Sequence, residues 1–458
     1  MKKNLLGGLG VIVALVALQF IQTETYAGWF GNIKPCAEVG ECNPCDDVAV
    51  ADCDPCGELD ACNKKKSKWF FNGHIETGFW ANEYGAKNQY FDPFDPTKPS
   101  RYRGFDERSG NTAYLQNVDK TGGGLNQLYI STGRSVDGKH GLDIGGTVDF
   151  TFGTDARFAQ SAGFEYQYSQ PNYDSNKEWQ WGSGDYYSAF AQAFVELEYK
   201  RWNVKVGKVT APFGSNSYKS TERFFYSLSD TYGIVPKTAL TAYATYSVNS
   251  KFSVYAGWAQ FDQFGETSDD NAFLYGFNWQ VGKRLNIAYA LGVGENDRYE
   301  KVATSNDFNE YTEYFIQSLV ATYKINSKLT YIFDWSLFNI TYKNDVAPDR
   351  EPFGAYGINT ELIYQYNSRW AFGFRAGWGR DINEFLYDSP TQTYDNKYTF
   401  SLGANWAPRK WLTVKYELRY DKFEDTAAFN TLDDAGQPRV AGGKTDQFSG
   451  GVSAIVKF

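Results

Sequence analysis

Six cysteines crowd one short stretch: Cys36, Cys42, Cys45, Cys53, Cys56 and Cys62. The gaps between them are five, two, seven, two and five residues, nearly mirror-symmetric about two Cys-x-x-Cys pairs. Thiols spaced this way can close disulfides, hold one Zn²⁺ in a Cys₄ site, or cross-link to neighbouring proteins. The seven-residue separation is shorter than zinc ribbons use, and an exported chain meets an oxidising compartment, so disulfides lead the three readings. The segment is too small to fold on apolar burial alone and needs such staples. Other reactive groups are scarce. The two histidines are His74 and His140. Nucleophilic catalysis needs a base within hydrogen-bond reach of a nucleophile, and neither histidine stands in a recognisable Ser or Asp motif. No catalytic, cofactor or metal centre is expected outside the cysteine segment, and the chain is not read as an enzyme.

The elements that carry these residues begin with an export signal. Lys2 and Lys3 precede an apolar run from Leu5 to about Ile21, and small Ala27 closes the polar step that follows. This is the layout of a cleaved signal peptide over residues 1–27, with a single membrane anchor as the rival. Residues 28–68 then form a cysteine-rich segment ending in the basic tether "NKKKSK", and residues 69–458 form the main domain. No later stretch has the apolar length of a spanning helix. Aromatics make up 18% of the chain, yet mean hydropathy is only -0.51. Rings dispersed among Gly, Asn, Asp, Ser and Thr favour strands and turns. A net charge of -9 argues against nucleic acid as a partner.

From Trp69 onward the apolar period is two. In "WLTVKYELRY", Leu412, Val414, Tyr416, Leu418 and Tyr420 oppose Thr413, Lys415, Glu417 and Arg419. In "WAFGFRAGW", Trp370, Phe372, Phe374, Ala376 and Trp378 oppose Gly373, Arg375 and Gly377. Sixteen such strands can be marked, each long enough to cross a bilayer at a tilt. Their connections alternate short and long. "VNSKF", "INSKL" and "YNSRW" are short ones, as are "YKRW", "VGKRL" and "APRKW". These predict an all-β transmembrane antiparallel barrel with short periplasmic turns and long extracellular loops. A β-propeller would need four short strands per repeat rather than two long ones. The final strand "GGVSAIVKF" ends on Phe458, an aromatic terminus similar to the signal read by the bacterial barrel-insertion machinery.

Four motifs sharpen this reading: Asn126–Tyr129 ("NQLY"), Gly153–Asp155 ("GTD"), Val204–Lys208 ("VKVGK") and Phe224–Ser227 ("FFYS"). Over residues 69–295 the chain resembles the OmpL-like β-barrel porin family of Gram-negative bacteria. The cysteine segment is not part of that pattern. The resemblance implies passive transport across the outer membrane, without cofactor, and by analogy with sixteen-stranded porins a homotrimer set in outer-membrane lipid.

If apolar faces meet lipid, the alternate residues face the lumen. That set comprises Asp143, Asp149, Glu196, Glu198, Asp334, Glu361 and Glu417, with Lys205, Arg375, Lys415 and Arg419. The acidic excess leans toward cations, while the competing reading is that opposite charges pair across strands. The third long connection, Thr210–Lys237, carries Lys219, Glu222, Arg223 and Asp230 beside the aromatics Phe213, Tyr218, Phe224, Phe225 and Tyr226. It is the expected constriction loop, against the alternative of an ordinary surface loop. The predicted function is diffusion of small hydrophilic solutes or ions. The alternative is a plugged structural or adhesive barrel that anchors the envelope through its cysteines.

Overall fold

The computed structural model describes residues 68–84, 121–138, 141–161, 164–165, 182–183, 186–261, 270–296, 311–343, 353–382, 394–425, 429 and 443–458. The signal segment, the six cysteines and His140 lie outside these residues. The strands in chain order are β1 (Trp69–Asn82), β2 (Gly122–Arg134), β3 (Asp143–Gly153), β4 (Gly182–Ser183), β5 (Tyr186–Tyr199) and β6 (Trp202–Thr210). They continue as β7 (Thr238–Asn249), β8 (Phe252–Phe261), β9 (Asp270–Val281), β10 (Leu285–Asn296), β11 (Tyr311–Lys324) and β12 (Leu329–Lys343). The last five are β13 (Phe353–Gln365), β14 (Trp370–Ile382), β15 (Tyr394–Arg409), β16 (Leu412–Phe423) and β17 (Asp446–Lys457).

Two-residue β4 pairs back onto the start of β5 and is not a wall strand. The other sixteen each pair antiparallel with their neighbours, with β3 pairing directly to β5. The cylinder closes where β17 meets β1, from His74↔Lys457 to Asn82↔Ser449. Closure removes every sheet edge, which a strand in lipid requires because no water is present to satisfy free backbone groups.

Burial alternates with period two and is inverted relative to a soluble protein. On β16, Leu418 is 68% exposed while its neighbours Glu417 and Arg419 are 3% and 1% exposed. On β17, Phe448 is 62% exposed beside fully buried Gln447. Apolar side chains therefore face out toward lipid and the charges face in.

The short turns have a common device. Asn249 Oδ1 accepts the backbone N–H of Lys251 at 2.8 Å, and Asn326 Oδ1 that of Lys328 at 2.9 Å. Asn367 Oδ1 does the same for Arg369 at 2.8 Å. Each Asn side chain mimics a backbone turn, which explains why Asn-Ser-Lys/Arg recurs between strands. Where Asn is missing, backbone conformation supplies the turn: Lys200 adopts φ 56° and Gly282 φ 67°.

The connection between β6 and β7 does not stay outside the barrel. Phe213, Tyr218, Phe224, Phe225, Tyr226, Leu228 and Ile234 are all nearly inaccessible. It contains one short helix, α1 (Asp230–Ile234), whose first turn is capped by Ser229 Oγ accepting from Tyr232 N at 3.3 Å. This helix lies against β12, β13 and β14.

Candidate functional site

Period-two strands set inward donors and acceptors at fixed heights on the wall, and the β6–β7 loop bonds to many of those on β11 to β16, β1 and β2. At one end, Gly214 N donates to Ser318 Oγ of β11 at 2.7 Å. Asp334 of β12 accepts from Ser215 N at 2.8 Å, Ser215 Oγ at 2.7 Å and Thr231 Oγ1 at 3.1 Å. Glu361 of β13 accepts from Asn216 Nδ2 at 3.1 Å.

The far end is held by charge. Glu417 of β16 accepts from Ser227 N at 2.7 Å and Ser227 Oγ at 2.6 Å. Arg375 of β14 donates to Ser227 O at 2.9 Å and to Glu417 Oε1 at 2.8 Å. Arg419 donates to Leu228 O at 2.9 Å, to Asp421 at 2.8 Å and to Asp230 at 3.3 Å. Lys397 of β15 meets Asp230 at 2.5 Å. Lys415 donates to the carbonyls of Ser220 and Arg223, both at 2.7 Å. Hydrogen bonds to ionised groups are the stronger kind, and here they sit away from water.

The loop's bonds continue past the β17–β1 closure onto β1, β2 and the turn after β3. Arg223 meets Asp155 at 3.1 Å and Glu76 at 3.9 Å. Asn126 Nδ2 donates to Tyr226 Oη at 3.0 Å. His74 Nε2 lies 2.9 Å from Gln127 Oε1 and 3.1 Å from Ser220 Oγ, with its ring stacked on Tyr129 at 5.2 Å. Both contacts use the same ring nitrogen, so His74 serves the loop's anchorage.

Apolar seats complete the fit. A Cβ on Gly373 would collide with the Phe224 ring, and one on Gly403 would stand 2.9 Å from Phe225 and 3.0 Å from Phe224. Arg375 lies over the Phe225 ring at 4.5 Å. Glycine at these two wall positions makes the room that the "FFYS" aromatics fill.

The structure thus brings Asp334, Glu361, Arg375, Lys415, Glu417 and Arg419 together with Arg223 and Asp230 in one bonded set. Asp149 is buried apart from it, accepting from Tyr129 Oη and from Gln192 Nε2 at 2.7 Å. Glu196 and Lys205 pair with each other at 3.6 Å and each keep 16% exposure. Lys219 and Glu222 pair at 3.0 Å and are likewise partly exposed, at 18% and 14%. Asp143 sits at the short-turn rim, held by Lys68 at 2.6 Å and Arg134 at 2.8 Å. Glu198 stands opposite it in the β3–β5 ladder.

Sequence reasoning missed Lys397, Asp155 and Asp421. Continuing the alternation one step past Tyr420 places Asp421 on the face of Glu417 and Arg419. The same count along β15 places Lys397 with Thr399 and Ser401. Asp155 lies in a buried 3₁₀ turn, Thr154–Ala159, where no periodicity points inward.

Sixteen antiparallel strands closed on themselves, apolar outside and charged inside, define an outer-membrane β-barrel of the porin class. The family model described as "Putative beta-barrel porin-2, OmpL-like" matches residues 71–458, and the chain belongs to that family. Among solved structures, OmpT of Vibrio cholerae in its trimer form is similar in fold at 12% identity and TM-score 0.50, covering 85% of this chain and 99% of that one. The outer-membrane channel DcaP of Acinetobacter baumannii is similar at 13% identity and TM-score 0.50, covering 85% of this chain and 97% of that one. No curated protein matches the chain.

Proposed function

We propose that the protein is a diffusion porin for small hydrophilic solutes or ions, with an aperture set by the β6–β7 loop. The observation that carries this reading is the bonding of one loop, sent in from β6 and β7, to the arc of wall strands that runs from β11 past the β17–β1 closure to β2. Most inward charges are used in that bonding. Of those that keep some exposure, Glu196 pairs with Lys205 and Lys219 with Glu222, while Glu198 stands near the acids Glu196 and Asp143. A passage lined by them would hold both signs and discriminate weakly by charge, because ion selection needs a ring of one sign.

The reading extends to export through a cleaved signal at residues 1–27, insertion guided by Phe458, and a periplasmic disulfide-bonded segment at Cys36–Cys62. A homotrimer is supported by the trimer form of the similar Vibrio OmpT. The test is single-channel recording of the refolded protein in a planar bilayer under a salt gradient. Stable steps with a small reversal potential support the proposal. Silence from a barrel that shows heat-modifiable mobility would overturn it.

A second reading, the plugged structural barrel, is favoured by one specific feature. Phe213, Phe261, Tyr314 and Phe338 form a chain of inward rings with centroid spacings of 5.6, 6.4 and 6.5 Å, all nearly inaccessible. Porin lumens are ordinarily polar. Such packing beside the loop resembles a core, and the silent outcome would select this reading.

A further inference from the structure

The six short turns from β5–β6 to β15–β16, with the strand-end residues Lys324 and Arg409, carry Lys200, Arg201, Lys251, Lys283, Arg284, Lys324, Lys328, Arg369, Arg409 and Lys410, and no Asp or Glu. This stands against a chain whose net charge is -9. All ten side chains are exposed. None has a carboxylate partner among the described residues, in contrast to the β2–β3 turn, where Asp143 takes up Lys68 and Arg134. Several of these bases instead reach the carbonyls of the next turn: Arg201 to Val248 O at 3.2 Å and Lys328 to Tyr366 O at 3.3 Å.

The bases lie against a belt of exposed rings. Trp202 is 50% exposed, Tyr366 56% and Trp411 52%. Amphipathic rings settle at the level of lipid headgroups, which sets the adjoining bases at phosphate depth.

We infer that this basic rim binds anionic phospholipid of the periplasmic leaflet, the bases of neighbouring turns such as Arg201 and Lys251 meeting its phosphates. A basic residue near an anionic headgroup is worth about 1 kcal/mol, or about a fivefold preference, and salt screens it. The inference rests on the barrel's orientation and not on the lumen being open.

The test uses the full chain refolded into phosphatidylcholine vesicles containing brominated phosphatidylglycerol or, as control, brominated phosphatidylcholine. Quenching of the girdle tryptophans, Trp279 among them, reports which lipid lies beside the rim. The expected result is an excess of quenching by the anionic lipid equal to about fivefold preferential binding. It should be lost in high salt and reduced in the Arg201→Gln/Lys251→Gln variant. Equal quenching by the two lipids at low salt would overturn the inference, as would a preference that survives both salt and the variant. Equal quenching joined to a changed reversal potential in the variant would assign the bases to the solute path instead. Quenching requires a folded barrel only, so a silent lumen fails the porin reading and leaves this one standing.

Discussion

Two parts of the inner wall carry charge in different ways. Along β12 to β16 the charges are buried and bonded to the loop, as with Arg375 and Glu417, both wholly inaccessible at 2.8 Å. On β5 and β6, Glu196 and Lys205 touch each other at 3.6 Å, keep partial exposure and hold no part of the loop. An inward charge is therefore not by itself a pore residue. Where a loop descends, wall charges become its mooring, and only those it leaves uncovered can meet a solute.

The contrast can be broken from the moored side first. Arg375→Ala leaves Glu417 buried with a lost cation, which costs about 3–5 kcal/mol when one partner of a buried pair is removed. We expect a marked fall in the urea midpoint of the detergent-folded protein and noisy, enlarged conductance. Gly373→Val comes next: its side chain enters the space of Phe224, and overpacking costs about 1–3 kcal/mol. It should loosen the loop while every charge stays in place, which a limited-proteolysis time course would show. Lys205→Gln is the smallest. Its partly exposed pair is worth about 0.2–1 kcal/mol, so stability should hardly move. The reversal potential should shift toward cations, since Glu196 is left uncompensated beside the passage. A large stability loss from Lys205→Gln together with none from Arg375→Ala would invert the comparison.

Much of this was legible in the sequence, because a strand's two faces are fixed by simple alternation. The side-chain sets on β14 and β16, the short turns and the long β6–β7 connection could all be marked from residue types. What alternation cannot give is the partner of each inward group. Arg375 reads the same whether it meets water, a neighbouring strand or Ser227, and the choice depends on where a remote loop comes to rest. Gly373 was visible on the inward face, but its meaning depends on Phe224 arriving there. Asp155 escaped because a 3₁₀ turn has no two-residue period. The cysteine segment lies outside the described residues, and its chemistry stands as the sequence left it.

The central claim is that the β6–β7 loop, moored to the wall, sets the aperture. Its most direct test is single-channel conductance of a variant lacking Ser217–Tyr226, compared with the intact protein after both show heat-modifiable mobility. The account predicts a several-fold rise in conductance over the steps of the intact barrel. Unchanged conductance in the folded variant would contradict it.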